Sequence, residues 1–176
     1  MTDALTMGDL YPNGRGYHSA HEPYIAAVVA ALDAAGFPVD NWSAEPNDPR
    51  DGFAELNLNR QAVIDGKVMW PHDEVAVCWQ EERGWWVLTV TKFDEPRLNK
   101  GNWQTDQRNV FELGVATVAS PATVVLAVAE KAGLTLELAD DGHPDLDFPD
   151  HHFEESDVAL ELALRHYAAP KETPDA

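Results

Sequence analysis

The residue types best suited to chemistry crowd one stretch. From Asp140 to His152 the chain reads Asp-Asp-Gly-His-Pro-Asp-Leu-Asp-Phe-Pro-Asp-His-His. Hard carboxylate oxygens suit Ca²⁺ or Mg²⁺, and imidazoles beside a carboxylate suit Zn²⁺, Mn²⁺ or Ni²⁺. His143, Asp150, His151 and His152 are therefore the candidate metal ligands. Their spacing matches neither an EF-hand loop nor the two-histidine helical zinc motif, and Pro144 and Pro149 hold the run extended, so the donors do not obviously converge. A solvated acidic connector is the simpler reading.

A second constellation runs from Arg83 to Arg108, where Arg83, Lys92, Arg97, Lys100 and Arg108 outnumber Asp94, Glu95 and Asp106. Trp103 lies inside it. Cations interleaved with rings on a long loop could grip an anion or stack a base; the plainer reading is that these cations answer neighbouring carboxylates. Trp79, Trp85 and Trp86 lie just upstream. Adjacent side chains on a strand point to opposite faces, so one of Trp85 and Trp86 must find cover that helices on a single face cannot give. A partner surface made of Trp79, Trp85, Trp86, Arg97, Lys100 and Trp103 is the expectation that follows, set against an intramolecular lid.

Catalytic machinery is harder to find. Cys78 sits mid-strand between Val77 and Trp79, where burial raises a thiol's pKa and makes it inert. Asn13-Gly14-Arg15-Gly16 precedes no strand-to-helix turn that could cradle phosphate. His18, His21, His72 and His166 are isolated and read as caps or surface residues. No pair among the abundant carboxylates stands out as acid and base. The chain reads as a non-enzyme that needs no cofactor.

Positioning these residues requires a fold, and its bounds come from composition. The 176 residues carry 12 Lys and Arg against 31 Asp and Glu, a net charge of −19. That length suits one domain able to bury its own core. The single cysteine excludes an internal disulfide, and the N-terminus lacks a secretory pattern, so a cytoplasmic location is expected. No apolar run approaches a membrane span. A field this negative repels phosphate backbones and anionic lipid heads, which argues against direct nucleic-acid or membrane binding and for cationic protein partners.

Along the chain, residues 1–19 lack periodicity and read as a flexible arm. Tyr24, Ile25, Val28, Val29 and Leu32 recur at helical spacing, which predicts a helix over 21–35 ended by Gly36. Asp40 to Gly52 reads as a loop, and Phe53 to Asn59 as a strand. Val75 to Gln80 and Trp85 to Val90, joined by Glu81-Glu82-Arg83-Gly84, predict a hairpin. Val110 to Thr117 reads as a strand, Ser120-Pro121 as the start of a helix ended by Gly133, and Leu134 to Leu138 as a short last strand. Between Ala132 and Leu164 there is no Lys or Arg, and ten carboxylates gather. A final helix begins near Ser156, and 170–176 reads as a disordered tail. The expected fold is α+β: a mostly antiparallel sheet of four to five strands with helices on one face, in a single domain over 20–169.

His21-Glu22-Pro23-Tyr24 with its alanine and valine helix, the hairpin from Val75 to Trp86 and Ser120-Pro121-Ala122 resemble a family of uncharacterised small actinobacterial proteins, over roughly residues 21–133. That resemblance carries no catalytic residues. The size, acidity and element order are similar, at the level of fold alone, to type III secretion chaperones, which implies a dimer that binds extended protein segments. The expected function is thus a non-enzymatic acidic protein-binding module, chaperone- or adaptor-like, forming a homodimer through an uncovered sheet face or an edge strand. An acidic mimic of nucleic acid that occupies a DNA-binding protein, and a metal- or small-ligand-binding protein using 140–152, are the alternatives.

Overall fold

A computed structural model describes residues 6–12, 14–64, 66–92 and 106–168, with Ile64 described by its backbone alone. The elements run α1 (Glu22–Ala34), β1 (Val39–Glu45), β2 (Asp51–Leu56), β3 (Val63–Ile64), β4 (Lys67–Val68), β5 (Glu74–Gln80), β6 (Gly84–Thr91), β7 (Gln107–Glu112), α2 (Pro121–Lys131) and α3 (Val158–Arg165). Five strands form one sheet in the order β1-β2-β5-β6-β7, each pair antiparallel, while β3 and β4 make a separate small hairpin. This is the α+β single-domain arrangement expected from the pattern.

Local chemistry explains the helix bounds. The Ser120 side chain accepts from Thr123 N, and Pro121 takes the first helical position, where its missing N–H is no loss. Gly36 and Gly133 follow α1 and α2 with φ of +90° and +78°, the left-handed stop that glycine adopts without strain. Asp157 caps α3 by accepting from Leu160 N. The hairpin turns through Glu81 to Arg83 into Gly84 at φ +78°, and its register sets Trp79 opposite Trp85 and Cys78 opposite Trp86.

One face of the sheet carries the core. Ala54, Leu56, Val75, Val77, Trp79, Trp85 and Val87 alternate along β2, β5 and β6 and pack with Tyr24, Ile25, Val28 and Leu32 of α1, Val124, Val125 and Val128 of α2, and Leu160 and Leu164 of α3. Two of the core indoles reach polar partners: Trp79 Nε1 donates to the Thr117 carbonyl and Trp85 Nε1 to the Tyr24 hydroxyl, each at 2.8 Å. Tyr24 in turn donates to the Ala119 carbonyl at 2.8 Å. α1 sits so close over β2 that a Cβ at Gly52 would lie 3.0 Å from Ile25 Cγ1 and 3.0 Å from the Ser43 carbonyl.

Several expectations are corrected. Within the loop expected over Asp40 to Gly52, Asp40 to Glu45 belong to edge strand β1 (Val39–Glu45), and the strand expected over Phe53 to Asn59 is β2, which runs Asp51–Leu56; the polar residues of β1 mask a strand that is solvated along much of its length. The strand expected over Val110 to Thr117 lies earlier, at Gln107–Glu112, and Gly114 at φ +66° follows its end. Leu134 to Leu138 pairs with no strand among the described residues: Leu134 and Leu136 lean on the core from irregular chain. The described part of the expected arm holds two short 3-10 turns, Met7–Leu10 and Tyr17–Ser19, with Leu10 and Tyr17 buried and the Asp9 carbonyl accepting from Arg165 at 3.0 Å. The expected tail at 170–176 lies outside the described residues.

Candidate functional site

The antiparallel register sorts the other face of the sheet into rows. Ser43, Phe53, Cys78, Trp86 and Glu112 lie across it in one row, and Asn41, Glu55, Ala76, Leu88 and Val110 in the next. Phe53, Ala76, Cys78, Trp86 and Leu88 are only half-buried, and Val110 is 50% exposed. The three helices join the core of the opposite face, so none of them covers this one. Trp85 and Trp86 do point to opposite sides: Trp85 is in the core, whereas Trp86 lies on the open face with the Arg83 guanidinium 4.0 Å above its ring.

Two ion pairs stand at the rim of this face. Arg83 bonds Glu112 and Lys92 bonds Glu74. Glu55 has no ion-pair partner among the described residues. Beside it lies a depression of about 180 Å³, floored by Phe53, Ala76, Leu88 and Val90 and flanked by Glu55 and Glu74. Burial pushes the Cys78 thiol up to about 11, far from a nucleophile's range.

The placement of the expected surface residues is therefore divided. Trp86 is available, but Trp79 and Trp85, at 0% and 2% exposure, are not: both occupy the helix-covered face, where their indoles are consumed by the core. Arg97, Lys100 and Trp103 lie outside the described residues.

The expected metal ligands disperse. His143 packs on the Tyr167 ring at 4.7 Å, His151 is buried against Glu81, and His152 lies 3.5 Å from Glu82 and stacks on Phe153. Asp150 is exposed. No group of three or more metal-competent side chains converges among the described residues. The acidic segment has another use. Asp141 accepts from Ala122 N at 2.8 Å, Asp145 from Ser120 N at 2.7 Å and from the Thr123 hydroxyl at 3.0 Å, and Asp147 from Thr117 N at 3.2 Å and the Thr117 hydroxyl at 2.9 Å. These carboxylates satisfy backbone donors at and before the positive end of α2, the place where negative charge is most favourable. Hydrogen bonds from Thr117 hold the Asp147 carboxyl below its usual range.

A buried charge cluster escapes sequence reading altogether. Arg50, fully buried just before β2, donates from Nε at 3.2 Å and Nη2 at 2.8 Å to Glu81, from Nη2 at 2.5 Å to Glu161 on α3, and from Nη1 at 3.0 Å to the Tyr17 carbonyl, with its guanidinium 3.9 Å over the Tyr17 ring. Glu81 Oε1 also accepts from Arg50 N at 2.7 Å, and Glu81 Oε2 pairs with His151 Nε2 at 3.0 Å. Burial alone would raise the Glu81 carboxyl, but His151 and Arg50 bring it down to about 2. Glu161 goes the other way. Burial raises it more than Arg50 lowers it, in keeping with its Oε2 lacking a hydrogen-bond partner. His21, expected as a cap or surface residue, is also buried, stacked on Trp79 at 5.8 Å with Nε2 donating to the Asp51 carbonyl at 2.9 Å; burial lowers its pKa. The Arg50 cluster ties the N-terminal turns, the hairpin turn and α3 together, and its charged groups are turned toward one another. Its form is that of a clamp.

No helix among the described residues is long and apolar enough to cross a membrane. Comparison with curated proteins and with solved structures finds no match. A family model does match from Tyr24 to Lys131, from the first turn of α1 to the end of α2, so the region it covers holds the whole five-stranded sheet and its open face. By that match, over residues 24–131, the chain belongs to the family of unknown function DUF6292.

Proposed function

We propose that the protein is a non-enzymatic, adaptor-like docking module whose open sheet face receives a basic, apolar-flanked segment of a partner protein. One observation carries the reading: Phe53, Ala76, Cys78, Trp86 and Leu88, half-buried, and Val110, exposed, form an apolar strip, with charges at its rim, on a face that none of the three described helices covers. An apolar centre with a polar rim is the anatomy of a protein interface. The occupant's charge follows from the chain's own. Glu45, Asp51, Glu55, Glu74 and Glu112 outnumber Arg83, Lys92 and Arg108 on and beside the face, and the whole chain stands at −19. Such a field draws in cationic segments and opposes a second copy of itself at low salt. The nucleic-acid mimic is less well supported, because Asp141, Asp145 and Asp147, though exposed, are each held by a backbone donor at or just before the start of α2.

Fluorescence anisotropy with labelled 12-residue peptides in which Lys or Arg alternates with Leu or Val tests this. Saturable binding that weakens between 50 and 300 mM salt, and falls at least tenfold in the Leu88→Asp/Val110→Asp chain, is expected. Absence of binding, or binding indifferent to those substitutions, overturns the reading. Sedimentation velocity showing dimers that the same substitutions dissolve would instead assign the face to a second copy.

A further inference from the structure

Docking surfaces bind through a few anchors seated in depressions, and flat contact around them mainly excludes water. On the open face the depression between β2, β5 and β6 has the form of such a seat. Its floor is apolar, from Phe53, Ala76, Leu88 and Val90, and its volume is about 180 Å³. Its walls hold two carboxylates. Glu55 stands directly opposite Ala76, and Glu74 is two residues along β5 from Ala76, opposite Val90, so the two acids are diagonal neighbours across the pair.

The two carboxylates differ in what they face. Glu74 holds the Lys92 ammonium, so the chain itself shows that this rim accepts a cation. Glu55 has no such partner among the described residues and is left half-exposed beside the apolar floor. An apolar stem ending in positive charge is what these surroundings complement. Lysine and arginine bury their methylene stems along apolar surface and present the charged head at its edge.

Resting on the docking reading above, we infer that this depression is a specificity pocket for one lysine or arginine side chain of the partner, its stem over Ala76 and Leu88 and its charge at Glu55, beside the Glu74–Lys92 pair. A leucine or methionine in that position would leave Glu55 unanswered. A glutamate would face the like charge of Glu55.

The test uses the full chain labelled with ¹⁵N and two probes, the acetylated and amidated tripeptides Leu-Lys-Leu and Leu-Glu-Leu, followed by amide shifts. Leu-Lys-Leu is expected to perturb β2, β5 and β6 saturably in the millimolar range, and Leu-Glu-Leu is not. Glu55→Gln/Glu74→Gln, exposed or half-exposed positions whose replacement leaves the core intact, is expected to weaken Leu-Lys-Leu at least tenfold, with far-UV circular dichroism unchanged. If Leu-Lys-Leu binds the face equally well in that variant, or if Leu-Glu-Leu binds as tightly, the pocket inference falls while the docking face stands. If neither tripeptide perturbs the face, and the 12-residue peptides also fail to bind, both fall together.

Discussion

Replacing Arg50 with methionine should expose how much of this fold hangs on one buried cation. The substitution keeps an apolar stem but removes every guanidinium bond to Glu81, Glu161 and the Tyr17 carbonyl. Two carboxylates at 0% and 2% exposure then lose the guanidinium between them, with His151 still against Glu81 and Arg165 3.7 Å from Glu161. Breaking a buried pair by deleting one partner costs about 3–5 kcal/mol, a large share of the roughly 5–15 kcal/mol that holds a domain folded. At about 2–4 °C per kcal/mol for a chain of this size, the melting temperature should fall by roughly 6–20 °C. The pH dependence is the sharper signature. Glu81 is held at about 2 in the folded chain against an ordinary value of 4.5, so its contribution, about 3 kcal/mol, is present above pH 4.5 and lost as the pH falls toward 2. Glu161, raised by burial, works in the opposite sense: relative to the unfolded chain, folding favours its protonated form, and that contribution is lost as the pH rises through its folded value. Without Arg50 both carboxyls rise, so the variant's deficit should shrink in acid. Urea unfolding of both chains at pH 7, 5 and 3 measures this. A deficit below about 1 kcal/mol at pH 7, or one that does not narrow toward pH 3, would refute the reasoning.

Other substitutions separate structural claims from one another. Asp145→Ala removes the acceptor for Ser120 N and the Thr123 hydroxyl and should cost about 1–2 kcal/mol in urea unfolding, whereas Asp140→Ala, whose exposed side chain accepts from Gly142 N two residues on, should cost under about 0.5. Tyr24→Phe leaves the Trp85 indole N–H and the Ala119 carbonyl unpaired in the core, for about 1–3 kcal/mol each, read by calorimetry. Gly52→Ala should destabilise by about 1–3 kcal/mol, because its methyl meets the Ser43 carbonyl as well as Ile25. Cys78, at about 11, should react with iodoacetamide at pH 8 roughly two hundredfold more slowly than a free thiol; a rate within tenfold of free cysteine would contradict its burial.

What the sequence discloses is the part of the structure made by local chemistry. Ser120, Pro121 and Gly133 bracket α2 because each acts on its own backbone within one turn. The Val75 to Val90 hairpin shows itself by alternation on both strands and by Gly84 between them. β1 stays hidden because an edge strand reading Val-Asp-Asn-Trp-Ser-Ala-Glu needs little apolar surface, and alternation at Leu134 to Leu138 misleads because extended chain leaning on a core has the same period as a strand. The acidic segment is conspicuous, but its role is not. Which carboxylate caps which N–H depends on how residues 141–147 return across residues 117–123. The Arg50 cluster is the least legible of all. Its members lie 31, 70 and 111 residues apart, and each one read alone is an ordinary surface charge. The open face stands between these extremes: that Trp85 and Trp86 diverge follows from strand geometry, but which of them meets solvent, and that Trp79 joins the core, depends on where the helices pack.

NMR of the methyl groups and tryptophan indoles of the full chain, titrated with a 12-residue peptide alternating lysine and leucine, addresses the docking face most directly. Shifts confined to the methyls of Leu88, Val90 and Val110 and to the Trp86 indole are the expected result. Saturable shifts that fall instead on Leu134, Leu136, Leu138 and Leu146, or no shifts at all, would contradict it.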